Sequence, residues 1–231
     1  MLPRTLEPEL MDTIEDANDY DAMDFTEVNA RFVSDFLADW CSDVARPPND
    51  DAAIDNMTVL DVGTGTAQIV VALCQRQRDV RVVAIDLAAA MLARGAENVT
   101  RAGVADRVEL RLVDAKQLPF ADATFRAVMS NSIVHHIPEP RHALSEMVRV
   151  TAPGGRLFVR DLLRPATDAE VEQLVALHTV GATPPQQQLF RQSLHAALTV
   201  DEVRDLIEPL GLPRECVRQT TDRHWTLSAV R

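Results

Sequence analysis

From about residue 57 onward, short apolar runs of strand length alternate with amphipathic segments of helix length, and no other feature of the chain restricts its fold as tightly. Strand candidates fall at 58–62, 80–85, 108–113, 127–131 and 156–160. Between them, segments near 67–77, 87–102 and 141–150 repeat apolar residues at helical spacing and carry charge on their outer faces. This order predicts βαβ units, with a mostly parallel sheet covered by helices on both faces. Two more runs, 215–219 and 224–230, read as strands joined by a tight Thr-Thr-Asp turn with no helix between them. One strand of the sheet is therefore expected to run antiparallel. A helix is expected over 167–179, followed by a proline- and glutamine-rich turn, ATPPQQQ. Thr199 opens another helix, where Glu202 can close a capping box, and Gly211 and Pro213 end it.

Ahead of this pattern, residues 1–56 read as an N-terminal helical arm, and residues 57–231 as the main domain. The joint is ARPPNDDAAIDN, where Pro47 and Pro48 break any helix. In the arm, Phe25, Val28, Phe32, Phe36 and Leu37 recur at helical spacing. They suit a stripe packed on the main domain or the inner face of a lid. Trp40 and Trp225 suit a core or an interface, and a homodimer is compatible with that. The net charge is -12 and Lys116 is the sole lysine, which disfavours a broad phosphate-binding surface and hence nucleic acid. No run approaches the roughly 18 apolar residues of a membrane span. The N-terminus is too acidic for a targeting peptide, and Cys41, Cys74 and Cys216 are scattered, so a cytoplasmic protein with reduced thiols is expected. No CxxC or HxxxH spacing suggests a metal. His135 and His136 are adjacent, and neighbours in regular structure seldom face one ion.

The stretch VLDVGTGTAQIVVAL places a glycine turn between a strand and a helix, a common cradle for a ligand. Gln68 stands where a dinucleotide loop has its third glycine, and the turn lacks the lysine of a phosphate-cradling P-loop. It offers instead Asp61, with Gly63 and Gly65 exposing backbone for close approach. Asp86 ends the second strand, where a carboxylate can take both hydroxyls of a ribose, and Asp114 ends the third, where it can meet an adenine amino group. Three acids at neighbouring strand ends suit a cationic adenosine cofactor better than a pyrophosphate.

These motifs occur in an order that resembles the class I S-adenosylmethionine-dependent methyltransferases, in the group of ubiquinone/menaquinone-type and related small-molecule enzymes. The resemblance runs through VLDVGTGTA, VVAIDLAAAML, VDAKQLPFADATFRAVMSNSIVHHIPEP and MVRVTAPGGRLFVRDL, from about Met57 to Arg160. It implies a Rossmann-like, doubly wound sheet of seven strands with the last antiparallel, and S-adenosylmethionine as cofactor with S-adenosylhomocysteine as product. It also implies that Asp61, Gly63 and Gly65 flank the methionine part and Asp86 binds the ribose. Leu87 would pack on adenine, Asp114 and Ala115 would contact its edge, and Asn131 would lie under the methionine part and face the substrate. Ala67 departs from the family's third glycine, a small change if the backbone there is helical. YDAMD only loosely resembles the Tyr-Asp-x-Met of quinone methyltransferases.

A small-molecule acceptor is expected, because Asn131, Ser132, Ile133 and Val134 lack the N/D-P-P-Y pattern of enzymes that methylate base nitrogens. His135 and His136, at the mouth of the fourth strand, are candidate proton acceptors. Tyr20, Asp161, Arg164 and His224 are candidates for substrate contact. A non-catalytic cofactor-binding module is the alternative outside enzyme chemistry.

Overall fold

The computed structural model describes residues 2–8, 12–43 and 58–231, with the side chains of 41–43 excepted; the expected joint at 45–56 lies outside the described residues. Seven strands form one sheet in the order β3-β2-β1-β4-β5-β7-β6. They are β1 (Thr58–Val62), β2 (Arg81–Asp86), β3 (Val108–Leu112), β4 (Phe125–Asn131), β5 (Thr151–Leu162), β6 (Val217–Gln219) and β7 (His224–Val230). All neighbours from β3 to β5 pair in parallel, and β7 runs antiparallel to both β5 and β6. The reversal follows from the short Thr220–Asp222 connection, closed by the Thr220 amide donating to the His224 carbonyl at 2.9 Å.

Side chains alternate across the pleat, so each strand feeds two cores. Leu60, Val128, Leu157 and Val159 face one side, with Leu144 and Met147 of α5 (Pro140–Val150) and Val203 and Ile207 of α8 (Val200–Ile207). Val59, Ala127, Met129 and Phe158 face the other. There they meet Val70 and Leu73 of α3 (Gln68–Arg76), Val99 of α4 (Ala89–Arg101), and Phe32, Val33, Phe36 and Trp40 of α2 (Thr26–Asp43). Of the arm's apolar stripe, Phe32 and Phe36 are core, edge-on to Phe158, whereas Val28 is exposed and Phe25 and Leu37 are half-buried. Trp225 is also fully buried.

Two local expectations change. ATPPQQQ is not a turn: α7 (Pro184–Ala196) begins inside it, after α6 (Asp168–His178). Thr183 caps α7, the prolines fill its first positions, where no amide is needed, and Gln186 closes a capping box. β5 starts at Thr151, ahead of the expected 156, and runs through the Pro-Gly-Gly segment, with a register shift against β4 between Phe125 and Ala127.

Candidate cofactor site

The carboxyl ends of β1, β2 and β4 converge where the strand order reverses, between β1 and β4. In open sheets of this kind a crevice forms at that point. Gly63 and Gly65 both take left-handed backbone, with φ of 77° and 55°. They are not equivalent. A Cβ on Gly63 would lie 2.0 Å from Cγ2 of Ile133, so this chain's own packing requires glycine there. At Gly65 a Cβ would meet only the Tyr20 ring edge at 3.8 Å, and the backbone is approachable. Ala67, the N-cap of α3, is also left-handed, with φ of 60°. The helical backbone that would make alanine costless is absent, and this conformation strains an L-residue by roughly 1–2 kcal/mol.

Asp86 is already engaged. Its Oδ2 accepts from the Gly65 amide at 2.7 Å and its Oδ1 from the Ala88 amide at 2.9 Å, which ties the glycine turn to the end of β2. Burial raises its pKa, against the pull of those bonds. Asp61 is 3% exposed. Burial, aided by the charge of Asp86 and opposed by Thr64, pushes it up to about 7. Among the described residues, the buried Thr64 and Thr66 hydroxyls lie beside Asp61 and Asp21 without a well-formed hydrogen bond. Asp61, Gly63, Thr64, Thr66 and Asn131 line a cavity of about 20 Å³. Tyr20, on α1 (Ile14–Asp21), closes it, and its hydroxyl is raised to about 12 by burial and by Asp86, Asp61 and Asp21.

Leu87 is an exposed apolar residue at the end of β2. Asp114, half-exposed after β3, accepts from the Lys116 amide at 2.9 Å and pairs with its ammonium at 3.1 Å; Ala115 packs beside it on the core. Asn131 ends β4 and donates to the Ser132 hydroxyl at 3.1 Å. A larger groove, about 720 Å³, runs along α2, α3 and α4 and contains none of the three strand-end acids.

Asp21, Arg94 and Asn98, which the sequence did not single out, hold α1 down together with Gln68. The Asp21 carboxylate accepts from Gln68 at 3.0 Å, Arg94 at 2.7 Å and Asn98 at 2.6 Å. Burial would raise its pKa, but these bonds outweigh burial and hold it at about 2. Gln68, the residue that argued against a dinucleotide loop, thus works as a clasp.

The remaining candidates gather elsewhere. Asp161 is fully buried, accepting from the Val134 amide at 2.5 Å and from His135 Nδ1 at 2.5 Å. Arg164 is buried on the Ala197 carbonyl at 2.9 Å and on Glu202 at 2.5 Å. His224 is bonded to Thr221 at 2.8 Å. None of the three lines the small cavity, because each spends its polar atoms tying β5 or β7 to neighbouring elements. His135 and His136 stack at 4.1 Å between ring centroids, in the turn after β4, against Glu7 of the N-terminal segment. Burial lowers the pKa of His135, but Asp161 and Glu7 outweigh it and the net direction is up; burial and His135 push His136 down to about 3.

Residues 60–159 match the family model described as a methyltransferase domain. The 27-O-demethylrifamycin SV methyltransferase of Amycolatopsis mediterranei is 29% identical over 75% of this chain and 61% of its own length. The demethylmenaquinone methyltransferase of Lactiplantibacillus plantarum is 38% identical over 48% of this chain and 47% of its own. The chain spans about 60% of the length of the first of these relatives. A SAM-dependent methyltransferase from Aquifex aeolicus shares the fold across 95% of this chain and 98% of its own, with a TM-score of 0.62 at 20% identity. Residues 60–159 thus match a methyltransferase domain, set in a seven-stranded sheet whose fold is shared with a SAM-dependent methyltransferase.

Proposed function

We propose that this chain transfers a methyl group from S-adenosylmethionine to a small-molecule acceptor by in-line displacement. One observation carries the reading. Asp61 is a buried carboxyl at a strand end, pushed up by burial and by a second acid, Asp86, and opposed by the Thr64 hydroxyl. Such a group is complete only when a cationic ligand shares its cavity. The cofactor supplies a methyl group already activated by a sulfonium, so the protein's part is alignment and exclusion of water.

In this assignment ionised Asp61 receives the amino end of the methionine part, with the Gly63 and Gly65 backbone beside it. Asp86 receives the ribose hydroxyls through lone pairs left over from its two amide bonds. Leu87 offers a flat apolar platform, Asp114 and Ala115 border the adenine edge, and Asn131 faces the acceptor. Tyr20 and α1 form a lid, since a cavity of about 20 Å³ admits little more than water until they move. Neither His135 nor His136 is given a step: one is tied between Asp161 and Glu7, and the other is too weakly basic. The names of the two curated relatives place the methyl group on different small molecules, which supports the acceptor class and leaves its identity open.

Calorimetry with S-adenosylmethionine and S-adenosylhomocysteine tests the assignment. Asp86→Asn keeps an acceptor for the turn but loses the charge, and a charged hydrogen bond is worth about 1.5–3 kcal/mol, so affinity should fall at least tenfold. If neither compound binds, or the variant binds as the wild type does, the cofactor site is misassigned. Labelled methyl transfer into fractionated extract then tests the acceptor. Label in a small molecule supports the proposal, and label only in RNA or protein overturns that part of it. Binding without any transfer would make the chain a binding module.

A further inference from the structure

Residues 2–8 lie across the end of the sheet as an extended strap. Arg4 fans its guanidinium over the carbonyls of His135 (3.0 Å), Ile137 (2.9 Å), Pro138 (3.1 Å) and Ala196 (2.7 Å), and the Thr5 amide donates to the His195 carbonyl at 3.0 Å. This strap carries Glu7 inward, where its side chain is only 8% exposed. One oxygen, Oε2, accepts from the Ser193 hydroxyl at 3.1 Å. The other, Oε1, lies 3.4 Å from His135 Nε2 and 3.1 Å from His136 Nδ1, yet among the described residues neither Oε1 nor His136 Nδ1 completes a hydrogen bond.

We propose that Glu7 Oε1, His135 Nε2 and His136 Nδ1 form a binding site for a divalent transition metal such as zinc, a clasp that fastens the strap to the turn after β4.

Several observations converge on this assignment. One ligand atom from each of Glu7, His135 and His136 lies within 4.8 Å of the other two. Ligand atoms at about 2.0–2.1 Å from a tetrahedral ion are about 3.3 Å apart, close to the two separations seen here. Asp161 Oδ1 lies 2.5 Å from His135 Nδ1, the arrangement that orients a metal-binding histidine and leaves Nε2 to take a metal in place of a proton. One cation would satisfy Oε1 and both ring nitrogens together. Two imidazoles and a carboxylate suit zinc or cobalt better than calcium or magnesium. Residues 134–136 form a turn rather than a helix or strand, so the adjacent histidines can stack side by side. That removes the objection that neighbouring residues cannot face one ion. The side chain of His136 is 25% exposed, which gives an ion a way in.

The test uses the full chain without an affinity tag, stripped by chelator and titrated with zinc by calorimetry and with cobalt by visible absorption. One equivalent should bind, with the intense visible bands of four-coordinate cobalt, and zinc should raise the thermal midpoint. Loss of a partner behind a metal ligand weakens binding about 10–100-fold, and loss of a ligand should cost at least as much, so Glu7→Gln and His136→Ala should each weaken zinc by 100-fold or more. Glu7→Gln changes only the strap, which keeps the test open should His136→Ala fold poorly. His142→Ala, at an exposed histidine outside the cluster, should bind as the wild type does. Failure to bind one equivalent at micromolar concentration, or equal affinity in wild type and Glu7→Gln, overturns the proposal. Both readouts are independent of S-adenosylmethionine binding.

Discussion

At the scale of single residues, Asp61 gives the sharpest pH signature. Its folded pKa of about 7 lies above the ordinary carboxylate value near 3.9. The unfolded chain therefore loses this proton first as pH rises. The stability that the group retains is complete below about pH 4, falls through the interval to pH 7, and is flat above it, by up to about 4 kcal/mol in total. Asp61→Asn should abolish that slope, and without cofactor it should melt above the wild type at pH 8. If only ionised Asp61 receives a cationic cofactor, affinity should climb as pH rises to 7 and then level, whereas the variant's should stay flat. Parallel melting profiles for the two proteins between pH 4 and 8 would remove Asp61 from this role. The position of Asp61 was legible in the sequence because an acid closing a strand next to a glycine turn is a local pattern. The reason for glycine at 63 was not, because Ile133, which fills the space a Cβ would take, arrives from the end of another strand.

At the scale of elements, α1 is an eight-residue helix with few apolar anchors, and Ala17 is its one fully buried residue. Helices this short depend on tertiary contacts, and here those contacts are the polar clasp on Asp21 and a small apolar cluster of Ala17 and Tyr20 with Ala88 and Met91. Its carboxylate, held at about 2, contributes stability that is present above about pH 4 and lost as pH falls through 2, about 2 kcal/mol in all. At neutral pH, Asp21→Ala should strand Gln68, Arg94 and Asn98 and release α1. Hydrogen exchange over residues 12–25 should quicken more than tenfold, with little change in β1 or β4. Unaltered exchange in α1 would mean that the clasp does not hold the lid. The parallel strands and their covering helices were readable because periodicity is local. The clasp, the strap and the His135–Asp161 pair were not, since each joins residues far apart in sequence, with 192 positions separating Arg4 from Ala196. The start of α7 was hidden differently: two prolines that signal a turn also suit the first turn of a helix, and only the Thr183–Gln186 box distinguishes the two.

At the scale of the molecule, the sheet places its two polar centres in different local frames. The cofactor cavity draws on the ends of β1 and β4 and on α1, whereas the Glu7–His135–His136 cluster hangs between the strap and the turn after β4, backed by β5 through Asp161. A ligand that binds only the folded state stabilises it by about 2.7 kcal/mol at a hundred times its Kd. Amides that exchange through global unfolding should share that gain wherever they lie, including those of β7. Amides that exchange through local opening should gain only near the ligand. With saturating S-adenosylhomocysteine, added protection beyond the global increment should therefore concentrate in the 63–67 turn, the end of β2 and α1, and spare the β6 edge. Zinc should instead protect residues 2–8 and 133–137. The two patterns should be separable in one protein sample. S-adenosylhomocysteine protection confined to the strap and the 133–137 turn would take the cofactor away from the 63–67 turn and overturn the assignment of Asp61 and Asp86.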